Sequence, residues 1–255
     1  MILRRLIHSL RTQNWTAIGI ELMIVIIGVF VGTQVANWNE QRLEKRQTER
    51  MLEQLQPELH SQLEFYQNAR DYYGTTRGYA TTAFAAWDGS KQVPDNEFVI
   101  AAYQASQVMG IGINVQSLAI VVGGDDLRQL ADPELRRRLS SFMSGSLSTV
   151  DTPAVATKYR EDVRRLIPDP VQAAIRARCG DRGDPDNPLL TILPKSCALK
   201  LPPDQAAKAA AALRAHPELA DELRWHRAAV ATFLQNADEF ERQTLDLSKR
   251  IDALN

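Results

Sequence analysis

The sequence predicts a mainly α-helical protein with a single N-terminal transmembrane helix, followed by an extracytoplasmic antiparallel helical bundle with a loop-rich, disulfide-closed insertion. Three observations predict this class. An apolar stretch at residues 17–35 is long enough to span a bilayer, apolar residues elsewhere recur at steps of three and four, and seven of the twelve prolines lie from Pro168 to Pro203. The predicted divisions are an interfacial helix (1–14), an anchor (15–38) and a helical domain (39–255).

Residues 1–14 have the pattern of an amphipathic helix on an anionic membrane face. Apolar residues recur at helical spacing, with arginines among them: Ile2, Leu3, Leu6, Ile7, Leu10, and Arg4, Arg5, Arg11. This segment contains no acidic residue to offset its arginines, which favours a cytoplasmic N-terminus. Basic residues also follow the apolar stretch closely, so Lys and Arg counts alone do not fix the orientation.

The anchor is bracketed by Trp15 and Trp38, 23 residues apart. At ~1.5 Å rise per residue this is about 34 Å of helix, which matches a ~30 Å bilayer core with indole rings at the headgroups. A cleaved signal peptide is the first alternative. Signal peptidase requires small residues at positions −1 and −3, and the only candidate for −1, Ala36, has Val35 before it and the bulky polar Gln34 at −3. A buried core helix is the second, but the β-branched residues surround the whole helix.

Three residues inside the span each allow two interpretations of their role. Glu21 is either a partner contact or proton-handling site, or an interfacial acid that reaches the headgroups, and we expect the latter because a charge at the bilayer centre costs at least ~2.5 kcal/mol. Gly28 and Gly32 form a GxxxG pair, which lets two helices approach closely and predicts a homo-oligomer contact. The same spacing also arises by chance in apolar segments.

Two stretches carry a resemblance. WTAIGIELMIVIIGVFVGTQVANWNEQR (15–42) resembles the N-terminal signature of an uncharacterised family of bacterial single-pass inner-membrane proteins, and VQSLAIVVGGDDLRQLADPELRRRLSSF (115–142) is similar to a second block of such proteins. The resemblance implies an inner-membrane anchor before a periplasmic helical domain, and it implies no catalytic residues.

The helical domain begins with a helix that continues from the anchor to about Tyr73, where Pro57 should kink or restart it. Further helices are predicted over 75–87, 95–109 with Asp95 as cap, 133–145 with Asp132 as cap, 153–166 and 171–178. Residues 114–122 are predicted to form a helix capped by Asn114, with a short buried strand as the alternative. The alanine-rich stretch lies at 206–212.

The last helix, opened by Pro217, has the clearest pattern. Its apolar seam alternates steps of three and four at Leu223, His226, Val230, Phe233, Ala237, Phe240, Thr244, Leu247, Ile251 and Leu254. Such a seam must pack on another long helix, and the predicted mate is residues 52–66, running antiparallel to it. His226 is therefore expected to be a hydrogen-bonded core histidine.

Cys179 and Cys197 are the only cysteines and lie 18 positions apart in the proline-rich segment. A bridge between them would stabilise this segment by ~3 kcal/mol in the chain-entropy model, provided that the compartment is oxidising. The alternative is two unpaired buried thiols. We expect the disulfide.

No grouping of nucleophile, base or metal ligands is recognisable, so no catalytic residue, cofactor or metal is predicted. Residues 37–255 hold 27 Lys and Arg against 30 Asp and Glu, which gives no basic footprint for nucleic acid. The predicted function is a membrane-anchored interaction module whose partners are membrane lipid and an unidentified envelope protein. A ligand-sensing domain that works through a partner protein, and an enzyme with scattered residues, remain open.

Overall fold

The structure is a computed structural model that describes residues 15–109, 127, 130, 132–149, 157–187 and 190–253. Seven helices and two short strands lie among these residues, so the mainly helical class is confirmed. They are α1 Trp15–Asp88, α2 Asp95–Ala105, α3 Pro133–Thr149, α4 Lys158–Leu166, α5 Asp169–Cys179, β1 Arg182–Gly183, β2 Thr191–Ile192, α6 Pro203–Arg214 and α7 Glu218–Asp252. The elements predicted at residues 1–14 and 114–122 lie outside the described residues.

The chain divides into two compact units, Met1–Met51 and Leu52–Asn255, and α1 contributes residues to both. In the first unit, the large apolar side chains between Ile20 and Val35 are all more than half exposed, from 52% at Val31 to 64% at Ile24. An eighteen-residue window here has a mean hydropathy of 2.0 and is not buried at all. Within the described part of the chain, this is the one helix long and apolar enough to cross a membrane.

Helix α1 is longer than predicted because Gly74 does not interrupt it. The sequence predicts a break near Tyr73, but α1 continues to Asp88 and ends as predicted before Gly89, whose φ of +72° is left-handed. A glycine inside a helix costs only ~0.5–1 kcal/mol relative to alanine, which the packing of buried neighbours such as Tyr73 offsets. Pro57 likewise lies inside α1 and does not end it.

The core of the second unit forms where α2 packs against α6 and both contact α4. Trp87, near the end of α1, packs edge-on against Phe98 with ring centroids 5.1 Å apart. Its indole N–H donates to the Leu213 carbonyl at 3.1 Å. Tyr159 of α4 is fully buried and donates its hydroxyl to the Ala102 carbonyl at 2.9 Å. Each of these large side chains thus buries apolar surface while its polar group keeps a partner.

Helix α7 buries the predicted seam. Every predicted position from Leu223 to Ile251 is buried, and Leu254 lies outside the described residues. Helices α1 and α7 are antiparallel where they contact each other. Gln56 of α1 donates to Asp252, near the end of α7, at 2.7 Å. Further along α1, the Tyr73 ring lies 5.3 Å from the ring of Phe233, which comes earlier in α7. Helix α7 also contacts α3 and α4.

Asp132 caps α3 as predicted. Its Oδ1 accepts hydrogen bonds from the backbone N–H groups of Glu134 at 2.9 Å and Leu135 at 3.2 Å. The helix extends to Thr149, four residues beyond the predicted end.

Both predicted ends of α2 are corrected. Asp95 is the first helical residue after Pro94 rather than the cap, a position where its carboxylate still favours the helix dipole. The helix ends at Ala105 because Ser106 bonds back to the Tyr103 carbonyl, through its N–H at 3.1 Å and its hydroxyl at 2.7 Å.

The proline-rich segment contains one helix, as predicted, and one feature that was not predicted. Helix α5 is slightly longer than expected, and β1 and β2 then form an antiparallel pair with Arg182 opposite Ile192. Strands of two residues are too short to produce an alternating sequence pattern.

Candidate functional site

The predicted anchor residues all lie on α1 in the first unit: Trp15, Glu21, Gly28, Gly32 and Trp38. Glu21 is exposed, and the guanidinium carbon of Arg42 lies 5.6 Å from the centroid of the exposed Trp38 ring. A Cβ added at Gly28 or Gly32 would meet no atom within 4 Å. Among the described residues, none contacts this face of α1 at Gly28 or Gly32. The side chain of Trp15 is not among the described ones.

The predicted disulfide joins Cys179 to Cys197, whose Cα atoms lie 5.6 Å apart. The Cys179 carbonyl accepts a hydrogen bond from Gln104 of α2 at 2.5 Å. Inside the loop that the bridge closes, Asn68 of α1 exchanges two hydrogen bonds with the backbone of Thr191, at 2.9 and 3.0 Å. The bridge and these bonds fasten the proline-rich segment to α1 and α2.

The clearest candidate binding site is a cavity of about 520 Å³ between α1 and α7 in the second unit, which we call the α1–α7 groove. Its volume lies within the ~300–1,000 Å³ typical of small-molecule pockets. Five of the residues that line it are small: Gly74 and Ala80 of α1, Ala105 of α2, and Ala228 and Ala231 of α7. A Cβ added at Gly74 would meet no atom within 4 Å.

One end of the α1–α7 groove is closed by ion pairs. Arg70 of α1 donates to Asp238 of α7 at 2.9 Å and to Glu241 at 2.6 Å. Two carboxylates thus neutralise this guanidinium, which leaves no positive charge here to attract an anion.

Cations gather at the opposite end. Arg77 of α1 and Arg224 and Arg227 of α7 line the groove there. Arg224 pairs with Asp221, and the guanidinium carbons of Arg224 and Arg227 lie 5.9 and 5.5 Å from the centroid of the Phe84 ring. Arg77 and Arg227 form no ion pair with any residue that the structure describes. Two guanidinium groups that no described carboxylate neutralises therefore border this end.

The floor between the two ends is mostly apolar, with one phenol. Val230 and Leu234 of α7 line it, and the Tyr73 hydroxyl accepts a bond from the Met109 N–H at 3.4 Å. Burial, only partly offset by that bond and by a nearby arginine, raises the pKa of Tyr73 to about 12, so its hydroxyl stays protonated at neutral pH. His226 also borders the floor; it is buried, with Nδ1 2.8 Å from the Thr157 hydroxyl, as the seam predicts. The charged groups that line the end opposite Arg70 are cations, and they border this mostly apolar floor, which suits anion binding.

A second group of arginines lies on α4. Arg164 places its guanidinium carbon 4.6 Å from the Tyr103 ring centroid and donates to Gln107 at 2.8 Å, while Arg160 donates to the Ser106 carbonyl at 2.6 Å. Burial and the neighbouring charge of Arg160 lower the pKa of Arg164, although a guanidinium remains charged. Because these bonds satisfy the residues that follow α2, we interpret this group as structural.

Sequence reasoning missed both groups of arginines. The available signals were Arg70 and Arg77, seven residues apart on one helical face, and Arg224 and Arg227, three apart. Neither pair indicates a site until α1 and α7 are known to pack side by side. In the residues that the structure describes, no group of three or more His, Cys, Asp or Glu is arranged to hold a metal ion.

Comparison of the chain with protein-family models, with curated proteins and with solved structures finds no match. The resemblance to bacterial single-pass inner-membrane proteins therefore stays a prediction. Function has to be inferred from α1, the disulfide and the α1–α7 groove.

Proposed function

We propose that this chain is a membrane-anchored helical interaction module of the bacterial envelope, acting as a scaffold or accessory subunit. The observation that supports the proposal is the exposed apolar part of α1, from Ile20 to Val35. Exposed apolar surface costs ~25 cal/mol per Å² in water, and a bilayer core removes that cost. Trp38 with its arginine neighbour Arg42 fits the aqueous boundary of such a span.

The proposed topology has the N-terminus in the cytoplasm and the second unit in the periplasm, as an antiparallel helical bundle. The disulfide between Cys179 and Cys197 supports this side of the membrane, because structural disulfides persist in the periplasm and are rare in the cytosol. The proposed inner-membrane address follows from the same two features.

An interaction role is supported by Trp225. This side chain lies on α7 in the second unit and is 71% exposed. Tryptophan is enriched at protein interfaces and is a frequent binding hot spot. The proposed partners are membrane lipid, an envelope protein that covers the Trp225 surface, and a second copy of the chain through Gly28 and Gly32.

A reporter fused after Asn255 tests the address. We expect active alkaline phosphatase and a non-fluorescent cytosolic-type fluorescent protein, because the proposed location is periplasmic. The matched control is the same fusion without residues 15–38, which should lose phosphatase activity. Fluorescence of the intact fusion, without phosphatase activity, would contradict the proposal.

A pull-down from gently solubilised membranes tests the interaction role. We expect a stoichiometric companion that is lost with Trp225→Ala and kept with Arg242→Gln, an exposed change on the same helix. Recovery of the chain without any companion would contradict the scaffold role. A non-reducing gel shift abolished by Cys179→Ser checks the bridge in the same sample.

A second candidate function is supported by the α1–α7 groove. The cavity is bordered by guanidinium groups of Arg77 and Arg227 that no described carboxylate neutralises. A ligand held there would make the second unit a ligand-sensing domain that signals through a partner protein.

A further inference from the structure

We propose that the α1–α7 groove binds an amphipathic anion, namely a carboxylate or phosphate group attached to an apolar chain. The inference deepens the second candidate function by naming its ligand class, and it does not depend on the anchor or the topology. It rests on the contrast between the two ends of the groove and on the shape of the space between them.

The cationic end selects the head group. Arg77 and Arg227 belong to different helices and border the same cavity, and neither has a carboxylate partner among the described residues. Guanidinium groups bind carboxylate and phosphate oxygens through paired, charge-assisted hydrogen bonds. The Phe84 ring lies 5.5 Å from the Arg227 guanidinium carbon, which restricts its motion and reduces the entropy lost on binding.

The middle of the groove selects the apolar part. Between the two ends, the groove is lined mostly by alanines, Gly74, Val230 and Leu234, with Tyr73, Thr76 and His226 as its polar neighbours, and no described carboxylate lines this middle part. From Arg70 to Arg77 the α1 wall is about 10 Å long at ~1.5 Å per residue, enough for a medium-length alkyl chain. The ion pair of Arg70 with Asp238 then closes the far end without excess positive charge.

Gly74 gives an independent argument that a ligand occupies the α1–α7 groove. It lies inside a helix, where glycine is less stable than alanine by ~0.5–1 kcal/mol, and its φ is not left-handed. No described atom within 4 Å of the position forbids a side chain. An occupant that passes along α1 at this point would account for a glycine here, because a larger residue would fill the groove.

The test uses the full chain in phosphatidylcholine nanodiscs, with empty nanodiscs subtracted, and titration calorimetry with four probes. Octanoate and octyl phosphate should bind, whereas octylammonium, which reverses the head charge, and acetate, which lacks the chain, should not. Equal heats for octanoate and octylammonium, or heats no larger than those of empty nanodiscs, would overturn the proposal.

Three variants separate the groove from nonspecific binding. Arg77→Gln with Arg227→Gln should weaken octanoate binding by about tenfold or more, because two charge-assisted contacts are lost. Gly74→Leu keeps every charge but fills the cavity, and should abolish binding while the near-ultraviolet circular dichroism stays native. Arg242→Gln, an exposed arginine of α7 outside the groove, should bind as the wild type does. Unchanged binding in a natively folded Gly74→Leu chain would place the probe elsewhere and overturn the proposal.

The lipid composition of the nanodiscs distinguishes two sources of the anion, a membrane lipid and a free amphipathic anion. If nanodiscs that contain phosphatidylglycerol suppress octanoate binding, the groove takes the head and chain of an anionic lipid. If octanoate binding is unaffected, the ligand is a free amphipathic anion. The reporter fusion bears only on the address, so failure of that test and failure of this one are separate results.

Discussion

The two parts of α1 use the same kind of side chain in opposite ways. In the first unit, Ile24 is 64% exposed and its large apolar neighbours are similarly uncovered. In the second unit, Leu55 and Leu59 are completely buried, and Tyr66 and Ala69 continue the buried stripe. One uninterrupted helix thus contains a stretch that is apolar on all faces and a stretch that is apolar on one face.

The difference shows what covers the apolar side chains of each stretch of α1. A one-sided stripe is covered by the chain's own helices, which is the usual pattern of a water-soluble domain. A helix that is apolar all round and uncovered needs surroundings from outside the chain, and a bilayer is the surrounding that we propose. Three predictions test this contrast, from the largest expected effect to the smallest, and a fourth concerns an ion-pair group within the second unit.

Charges in the exposed stretch should have the largest effect. Val25→Arg with Val29→Arg places two cations mid-span, at a cost of about 5–7 kcal/mol, since each costs ~2.5–3.5 kcal/mol at the centre of a membrane helix. We expect the chain to leave the carbonate-resistant membrane fraction. Val25→Leu with Val29→Leu is the matched control and should stay in it. Membrane retention of the arginine variant equal to that of the control would remove the basis for an anchor.

Truncating an apolar side chain should lower the free energy of unfolding only when the residue lies in the second unit. Leu59→Ala leaves a cavity in a fully buried position and should lower the free energy of unfolding by ~2–5 kcal/mol. Leu22→Ala, at a 60% exposed position, should change it by less than ~0.5 kcal/mol. Denaturant unfolding followed by near-ultraviolet circular dichroism measures both. Similar losses in the two variants would show that the units do not differ in this way.

Glycine substitutions should give small effects of opposite sign. Gly74→Ala should raise the free energy of unfolding by ~0.5–1 kcal/mol, because the helix gains a better helix former where space is free. Gly89→Ala should lower it by ~1–2 kcal/mol, because φ is +72° there. Gly28→Ala should leave the unfolding of the second unit unchanged. A destabilised Gly74→Ala chain would mean that the space beside this residue is not free.

Lowering the pH should destabilise the second unit because Glu134 becomes protonated. Hydrogen bonds from Arg137 and Arg138 lower the pKa of Glu134 from 4.5 to about 2. The carboxylate therefore stabilises the fold above about pH 4.5, and the contribution is lost as pH falls towards 2. Glu134→Gln should lower Tm at neutral pH, with the difference from wild type disappearing near pH 2.

The variant with Arg137→Gln and Arg138→Gln removes the cause of that pKa shift. It should reproduce the flattened pH profile of Glu134→Gln. A Tm difference between wild type and Glu134→Gln that is constant from pH 7 to pH 2 would contradict this account.

Local patterns in the sequence predicted the parts of the fold that depend on neighbours along the chain. The heptad seam of α7 and the Asp132 cap were predicted correctly, because both follow from spacing within one helix. The break expected at Gly74 was wrong, since tertiary packing outweighs the modest helix cost of one glycine. Ser106, which ends α2, gave no sequence signal stronger than the periodicity that continues past it.

The candidate site could not be predicted because its walls are far apart in sequence. Arg77 and Arg227 become neighbours of one cavity only when α1 and α7 pack together. The cysteine pairing was predictable, since only two cysteines exist. The hydrogen bonds between Asn68 and Thr191, which hold the loop to α1, were not, because nothing local marks either residue as a partner.

The pairing of α1 with α7 also sets the order in which the protein can be completed. Gln56 meets partners 192 and 196 positions later in the chain, at Ser248 and Asp252. Ribosomes add ~5–20 residues per second, so the stripe that begins at Leu55 waits roughly 10–40 s for its cover. During that delay the nascent chain exposes the apolar side chains of this stripe. A chaperone that covers them until the last helix emerges would raise the yield of native protein.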